Sequence, residues 1–85
     1  MQAILEHTTT KFRQYIPEIR VLSTDSMYLT IELNTEKYQD GDYRIMIFED
    51  NNNVVGSDII RIGSYKNTKT QYKVEKKFTQ YVRGK

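Results

Sequence analysis

The chain has 85 residues, carries 13 basic and 11 acidic side chains for a net charge of +2, and contains no cysteine. This length accommodates one domain, residues 1–85, with a thin stability margin that neighbouring molecules would supplement. The composition excludes disulfides, thiolate metal sites and cysteine nucleophiles. No apolar run approaches the ~20 residues of a membrane span, so we expect a soluble domain without a membrane partner.

The N-terminal segment, residues 1–16, leaves two alternatives open. It is either an arm that extends from the domain or the first strand of the domain. Phe12, Tyr15 and Ile16 are bulky side chains that favour burial, and a small core without room for them would leave them to a partner surface.

From residue 19 onward the dominant period is two, which is typical of strands that bury one face. The alternation is clearest where Leu29, Ile31 and Leu33 are separated by Thr30 and Glu32. The pattern predicts strands over residues 19–22, 27–33, 43–48, 54–62 and 71–78. A glycine at position 56 predicts a bulge or kink in the fourth of these.

Turn-forming residues separate the predicted strands. The polar segments 23–26 and 50–53 and the Asp40-Gly41-Asp42 sequence are rich in the residues that tight turns require. We assign five carboxylates to turns, and they are Asp40, Asp42, Glu49, Asp50 and Asp58. The spacing of strands and turns predicts an all-β fold, a small β-sandwich or open barrel of about five to seven antiparallel strands with extended terminal arms.

Ten side chains on the apolar faces of the strands form the predicted core. They are Leu29, Ile31, Leu33, Tyr43, Ile45, Ile47, Val55, Ile60, Ile62 and Val74.

Charge is distributed unevenly along the chain. Residues 64–85 hold seven basic residues and one acidic residue, a net charge of +6, whereas residues 1–63 carry a net charge of −4. Residues 79–85 form a basic C-terminal tail. Such a dipolar chain suits docking on an acidic partner or on a copy of itself. The alternative is a solvated strand face on which lysines prevent edge-to-edge aggregation.

No arrangement of residues indicates catalysis, a metal or a cofactor. The single histidine, His7, has no candidate nucleophile in a known motif, and a lone histidine is far more often a packed or surface residue than a base. The Asp40-Gly41-Asp42 sequence lacks the spaced ligands of a calcium loop, and the four glycines are too scattered for a phosphate loop. We therefore expect a non-enzymatic protein.

Aromatic and basic residues alternate near the C-terminus, which raises the alternative of a small barrel that binds single-stranded nucleic acid by stacking and phosphate contacts. The rest of the chain is net acidic, and Tyr72 and Phe78 fall on the apolar side of their predicted strand. The pattern therefore favours core positions for these rings, and we do not expect nucleic acid as the partner.

Three stretches carry a resemblance to a known group of proteins: DGDYRIMIFED at residues 40–50, NVV at 53–55 and SDIIRIGSY at 57–65. Over about residues 28–75 the chain resembles small virion proteins of tailed phages of gut Bacteroidetes, including the crAss-like group. Their pattern is a strand after Gly-Glu/Asp-Tyr, a turn with Asn or Gly, and a strand that closes in Leu/Ile-x-Ile/Val-Gly-Asp/Ser-Tyr. Ser64 stands where an acidic residue is common.

The resemblance implies a short β-sandwich that serves as a head auxiliary, decoration or tail component, and it supplies no catalytic residues. We expect a structural component of a phage particle, made in the host cytoplasm and located in the virion. Its partners would be the major capsid protein, another virion protein or further copies of itself. The predicted contact residues are Phe12, Arg13, Tyr15, Ile16, Lys73, Lys76, Lys77, Tyr81 and Arg83. A phage-encoded inhibitor of a host protein is a further alternative.

Overall fold

Seven antiparallel strands form two sheets in the structure, a computed structural model that describes residues 1–77. The strands are β1 Gln2–His7, β2 Arg13–Ile16, β3 Arg20–Thr24, β4 Tyr28–Leu33, β5 Gly41–Phe48, β6 Val54–Ile62 and β7 Thr70–Glu75. The order is β2-β1-β5-β6 in the four-stranded sheet and β3-β4-β7 in the three-stranded sheet. No helix occurs among residues 1–77. The predicted all-β class and strand number are confirmed.

Residues 2–7 and 13–16 are strands of the four-stranded sheet. The N-terminal segment therefore contributes strands to the domain and does not extend from it as an arm. Strand β1 lies between β2 and β5, and it alternates so that Ala3, Leu5 and His7 are buried. The turn that follows ends at Lys11, whose φ of 66° is the left-handed conformation that many hairpin turns need. Strand β1 is thus part of the core because its own pattern has period two.

The β5–β6 hairpin pairs across residues 50–53 as its sequence predicts. Asn52 takes a φ of 66° in the turn, a conformation that asparagine tolerates. The register places Tyr43 opposite Ile60 and sets Gly56 opposite Ile47. Val55 has no partner in this register, so the predicted irregularity lies one residue before the glycine.

The two sheets join along one side, where Gly56 of β6 forms an isolated bridge with Lys76 just after β7. We call this contact the seam. A Cβ at position 56 would lie 3.0 Å from Leu29 Cδ1 and 3.3 Å from Val74 Cγ1. Glycine suits this position because the two sheets approach closely, and a methyl group here would require Leu29 and Val74 to shift. The opposite side has no such bridge among the described residues, and β2 connects there to β3 through residues 17–19.

Nine of the ten predicted core residues are buried, and the tenth, Val55, is half-buried and packs against them. The structure adds Ala3, Leu5 and Ile19 to the core. The side chain of Tyr65, which follows β6, is 98% exposed.

Two carboxylates assigned to turns lie in strands instead. Asp42 belongs to β5 and pairs with Arg61, whose Nε lies 3.1 Å from Asp42 Oδ1. Asp58 lies in the middle of β6, and its Oδ2 accepts a hydrogen bond from the backbone N–H of Glu75 at 2.9 Å. The turn propensity of aspartate is overridden at position 58 because the carboxylate satisfies a donor on the edge of β7.

Candidate protein-binding surfaces

The outer face of the four-stranded sheet carries an apolar band, which we define as Ile4, Tyr15, Met46 and Phe48. Ile4 lies directly between Tyr15 and Met46 in the registers of β1 with β2 and with β5. Ile4, Met46 and Phe48 are half-buried, and Tyr15 is 51% exposed. Ile4, Met46 and Phe48 point away from the core because they alternate with buried residues, and Tyr15 shares their face because it lies opposite Ile4. The sheet therefore presents apolar surface on both faces.

A row of charges runs beside the apolar band. Arg13 lies opposite Glu6, with 3.7 Å between Nε and Oε2, and Glu6 lies opposite Arg44 on β5. A shallow depression of about 60 Å³ between the two rows is lined by Ile4, Glu6, Arg13, Arg44 and Met46. An exposed pair of this kind adds little stability, but a polar rim beside an apolar centre is typical of protein-binding surfaces.

The outer face of the three-stranded sheet is polar by comparison. Glu32 lies opposite Arg20, with 3.7 Å between Oε1 and Nε. Lys73 places its Nζ 5.9 Å from the centre of the Tyr28 ring. The two outer faces therefore differ in chemistry, and only that of the four-stranded sheet carries the apolar band.

Three of the four sheet edges are blocked within the described residues. Strand β3 loses register between Val21 and Ser23, which disrupts it as a template for pairing. The edges of β6 and β7 face each other at the seam and are covered there. The Tyr72 hydroxyl donates to the Arg61 carbonyl at 3.0 Å, and the Asp58 carboxylate accepts a hydrogen bond from the Glu75 N–H. Strand β2 pairs in regular register with β1 on one side, and its other side is open.

A cavity of about 360 Å³ opens at one end of the sandwich, between the β1–β2 turn and the loop after β4. Its lining includes His7, Phe12, Lys37, Tyr38 and Tyr43. Burial is the main cause that raises the pKa of the Tyr38 hydroxyl and of the Tyr43 hydroxyl above the usual value of 10.0. The cavity is thus lined by aromatic rings whose hydroxyl groups stay neutral at physiological pH.

His7 has a structural role in this wall. It is 7% exposed and its ring meets that of Tyr43 edge-on, with 4.9 Å between centroids. Its Nδ1 accepts hydrogen bonds from the backbone N–H groups of Thr9 and Thr10, both at 3.2 Å. The remaining nitrogen, Nε2, lies 3.1 Å from the Asp40 carbonyl, so it carries the proton and donates. The ring holds the β1–β2 turn to the start of β5.

A second polar contact fixes the loops at the same end of the sandwich. Thr35 is buried, and its backbone N–H donates to the Asn67 carbonyl at 2.9 Å. Its Oγ1 accepts a hydrogen bond from the Asn67 N–H at 3.1 Å. An exposed ion pair adds to this, because Lys66 Nζ lies 2.6 Å from Asp40 Oδ1 and lowers the pKa of that carboxyl.

The predicted contact residues within residues 1–77 lie on two separate sheets. Phe12, Arg13 and Tyr15 are exposed at β2 and Ile16 is half-buried there, whereas the lysines lie on or after β7, an edge strand of the three-stranded sheet. Lys73 and Lys77 are exposed, and Lys76 is half-buried. Tyr81 and Arg83 lie outside the described residues.

Two members of the aromatic and basic pattern near the C-terminus have partners within the domain. Lys76 Nζ donates to the Asp25 carbonyl at 2.9 Å. The Tyr72 ring is half-buried, and its hydroxyl is bonded at the seam. These two side chains are therefore engaged in contacts within the domain.

Sequence reasoning missed most of the apolar band. The signal was present in β5, where Met46 and Phe48 make the second face of the strand apolar as well. Ile4 could not be assigned, because its strand was itself uncertain. The band depends on β1 lying beside β5, a pairing between residues 36 to 46 positions apart that no local pattern encodes.

Comparison of the chain with protein-family models, with curated proteins and with solved structures finds no match. Within residues 1–77, no three His, Cys, Asp or Glu side chains are grouped in a way that could hold a metal ion. No helix in this part of the chain has the length and apolar character to cross a membrane.

Proposed function

We propose that the protein is a non-enzymatic structural component of a bacteriophage particle, an auxiliary or decoration protein that binds the capsid or another virion protein. The observation that supports this proposal is the apolar band on the outer face of the four-stranded sheet. A sheet that buries one face in its own core and keeps apolar side chains on the other is suited to rest on a second protein.

Two further features support the proposal. The resemblance of residues 40–65 to small phage virion proteins is the reason for proposing a phage particle. The small size of the domain gives a reason for assembly, because a core of this size contributes little stability alone and binding to a partner adds to it.

The proposal is tested by measuring how many copies of the chain purified phage particles contain. Mass spectrometry of particles produced from the genome that encodes the chain is expected to find it in a fixed ratio to the major capsid protein. Met46→Lys places a charge at the centre of the apolar band, and we expect it to lower occupancy at least about tenfold.

Thr30→Lys is the matched control, because it adds the same charge to the outer face of the three-stranded sheet, where the surface is already polar. It is expected to leave occupancy unchanged. Circular dichroism would establish that both variants fold. Absence of the chain from particles, or equal occupancy of a folded Met46→Lys variant and the unaltered protein, would contradict the proposal.

A further inference from the structure

We infer that the protein forms a symmetric dimer in which strand β2 pairs with β2 of a second copy of the chain, antiparallel and with Gln14 on the two-fold axis. The two four-stranded sheets would then join into one continuous sheet in the order β6-β5-β1-β2-β2-β1-β5-β6. This interface is independent of the proposed role in a phage particle.

The outer edge of β2 presents main-chain groups that no other strand within residues 1–77 pairs with. The His7 N–H donates to the Phe12 carbonyl at 2.9 Å, so Phe12 directs its main-chain groups towards β1. In an antiparallel pair this direction alternates from residue to residue. Gln14 and Ile16 therefore also face β1, whereas the N–H and C=O groups of Arg13 and Tyr15 face the open side. The Tyr15 carbonyl accepts a hydrogen bond from the Gln14 side-chain amide at 3.3 Å there, which pairing with a second strand would replace.

The second copy is the occupant that fits this edge, because the strand is complementary to itself. With Gln14 on the axis, Arg13 of one copy lies opposite Tyr15 of the other, and each such pair exchanges two main-chain hydrogen bonds. The same register sets the Arg13 guanidinium beside the partner's Tyr15 ring on the outer face, an arrangement that a cation–π contact stabilises.

The inner face of the strand is complementary as well. Phe12, which is 55% exposed, would lie opposite the half-buried Ile16 of the partner subunit. A groove of about 310 Å³ between Phe12, Gln14 and the loop that holds Lys37 and Tyr38 leaves space for the partner's side chains. Pairing would thus cover the most exposed apolar side chain of this edge.

The neighbouring registers are unfavourable. An axis through Arg13 would set the two Arg13 side chains opposite each other and would require Lys11, with its φ of 66°, to continue the strand. An axis through Tyr15 would place Arg13 opposite Pro17, which has no N–H to donate. Like charges in one case and a missing donor in the other leave Gln14 as the position of the axis.

The dimer would also extend the apolar band. A two-fold axis perpendicular to the sheet keeps both outer faces on the same side. The two Tyr15 side chains would then lie near the axis, with Ile4 of each copy one strand further out, so the two bands would belong to one surface.

Cross-linking through a single introduced cysteine tests the interface and its register together. The chain has no cysteine, so Gln14→Cys introduces one thiol per chain, and on the axis the two Cα atoms would lie about 4.5 Å apart, within disulfide range. We expect mild oxidation to convert most of the Gln14→Cys protein to a disulfide-linked dimer. Ser23→Cys, exposed on the disrupted edge strand β3, is the matched control and should remain monomeric.

A second pair of variants tests the register independently. Arg13→Cys and Tyr15→Cys should each cross-link poorly alone and efficiently when mixed, because each residue lies opposite the other. Equal cross-linking of Gln14→Cys and Ser23→Cys, or no gain on mixing, would overturn the proposed pairing.

The dimer of the unaltered chain should be visible by analytical ultracentrifugation at protein concentrations up to about 1 mM. Tyr15→Pro removes an N–H that faces the open side and leaves the β1 ladder intact. We expect it to weaken dimerisation more than about tenfold, while Tyr15→Thr, which keeps the N–H, should weaken it less. A monomeric mass at every concentration, or a Tyr15→Pro dimer as strong as the original, would refute the inference.

Discussion

Replacing Gly41 by alanine should be among the most destabilising small substitutions in this protein. Gly41 has a φ of 139°, and a Cβ built there would lie 2.5 Å from His7 Nε2. A side chain at this backbone angle costs about 1–3 kcal/mol in strain alone. The clash would add to this cost, because the ring of His7 must move to make room.

Displacing that ring would remove its hydrogen bonds. The Nε2 donor would leave the Asp40 carbonyl, and the Nδ1 acceptor would leave two backbone N–H groups of the β1–β2 turn. At about 1 kcal/mol for each bond, with some bonds kept after relaxation, the total loss is about 3–5 kcal/mol. A domain of this length has a free energy of unfolding of roughly 4–13 kcal/mol, so Gly41→Ala should lower the melting temperature by about 15–30 °C.

Gly63→Ala is the matched control. Gly63 is exposed, no atom lies within 4 Å of its built Cβ, and its φ lies outside the left-handed range. Alanine there should change the free energy of unfolding by less than about 1 kcal/mol. Urea denaturation of both variants at neutral pH gives the comparison directly.

A double-mutant cycle with His7→Ala separates strain from the clash. In the absence of the ring, Gly41→Ala should cost only its backbone strain, so we expect the two substitutions to couple by about 2–3 kcal/mol. A Gly41→Ala loss below about 1 kcal/mol, or additive effects of the two substitutions, would refute the reasoning.

Two further predictions concern the seam and the acid limit of stability. Gly56→Ala places a methyl group 3.0 Å from Leu29 and 3.3 Å from Val74. We expect it to lower the free energy of unfolding by about 1–3 kcal/mol, as measured by urea denaturation. An unchanged free energy of unfolding would contradict the close approach of the sheets at the seam. Backbone hydrogen bonds from the start of β4 lower the pKa of Asp25 below the usual 3.8. Its contribution to stability is therefore complete above that value and is lost as the pH falls through the lower folded pKa. Asp25→Asn should lose less stability between about pH 4 and pH 2 than the unaltered protein, and equal losses would argue against this role.

Much of the strand content is local, which is why the sequence predicts it. The alternation of Leu29, Ile31 and Leu33 decides both that β4 is a strand and which of its faces is buried, because successive side chains point to opposite sides. The hairpin between β5 and β6 follows in the same way, since its turn consists of residues that accept a left-handed backbone. Such features need no knowledge of the rest of the chain.

The candidate surfaces are only partly local. Arg13 and Tyr15 are exposed on β2, but their face and their open edge depend on the strand order. The apolar band exists because β1 inserts between β2 and β5, which brings Ile4 next to Met46. Periodicity gives the face of each strand, and it gives no information about which strand lies beside it.

The amino-acid sequence by itself determined that this chain is all-β, where most strands lie and which side chains form most of the core, because each depends on neighbours a few residues apart. Only the tertiary structure decided the order of the strands, the contact of Asp58 with the edge of β7 and the exposure of Tyr65. These outcomes depend on which backbone donors and apolar faces remain unpaired after the sheets have packed. That balance involves residues distant in sequence.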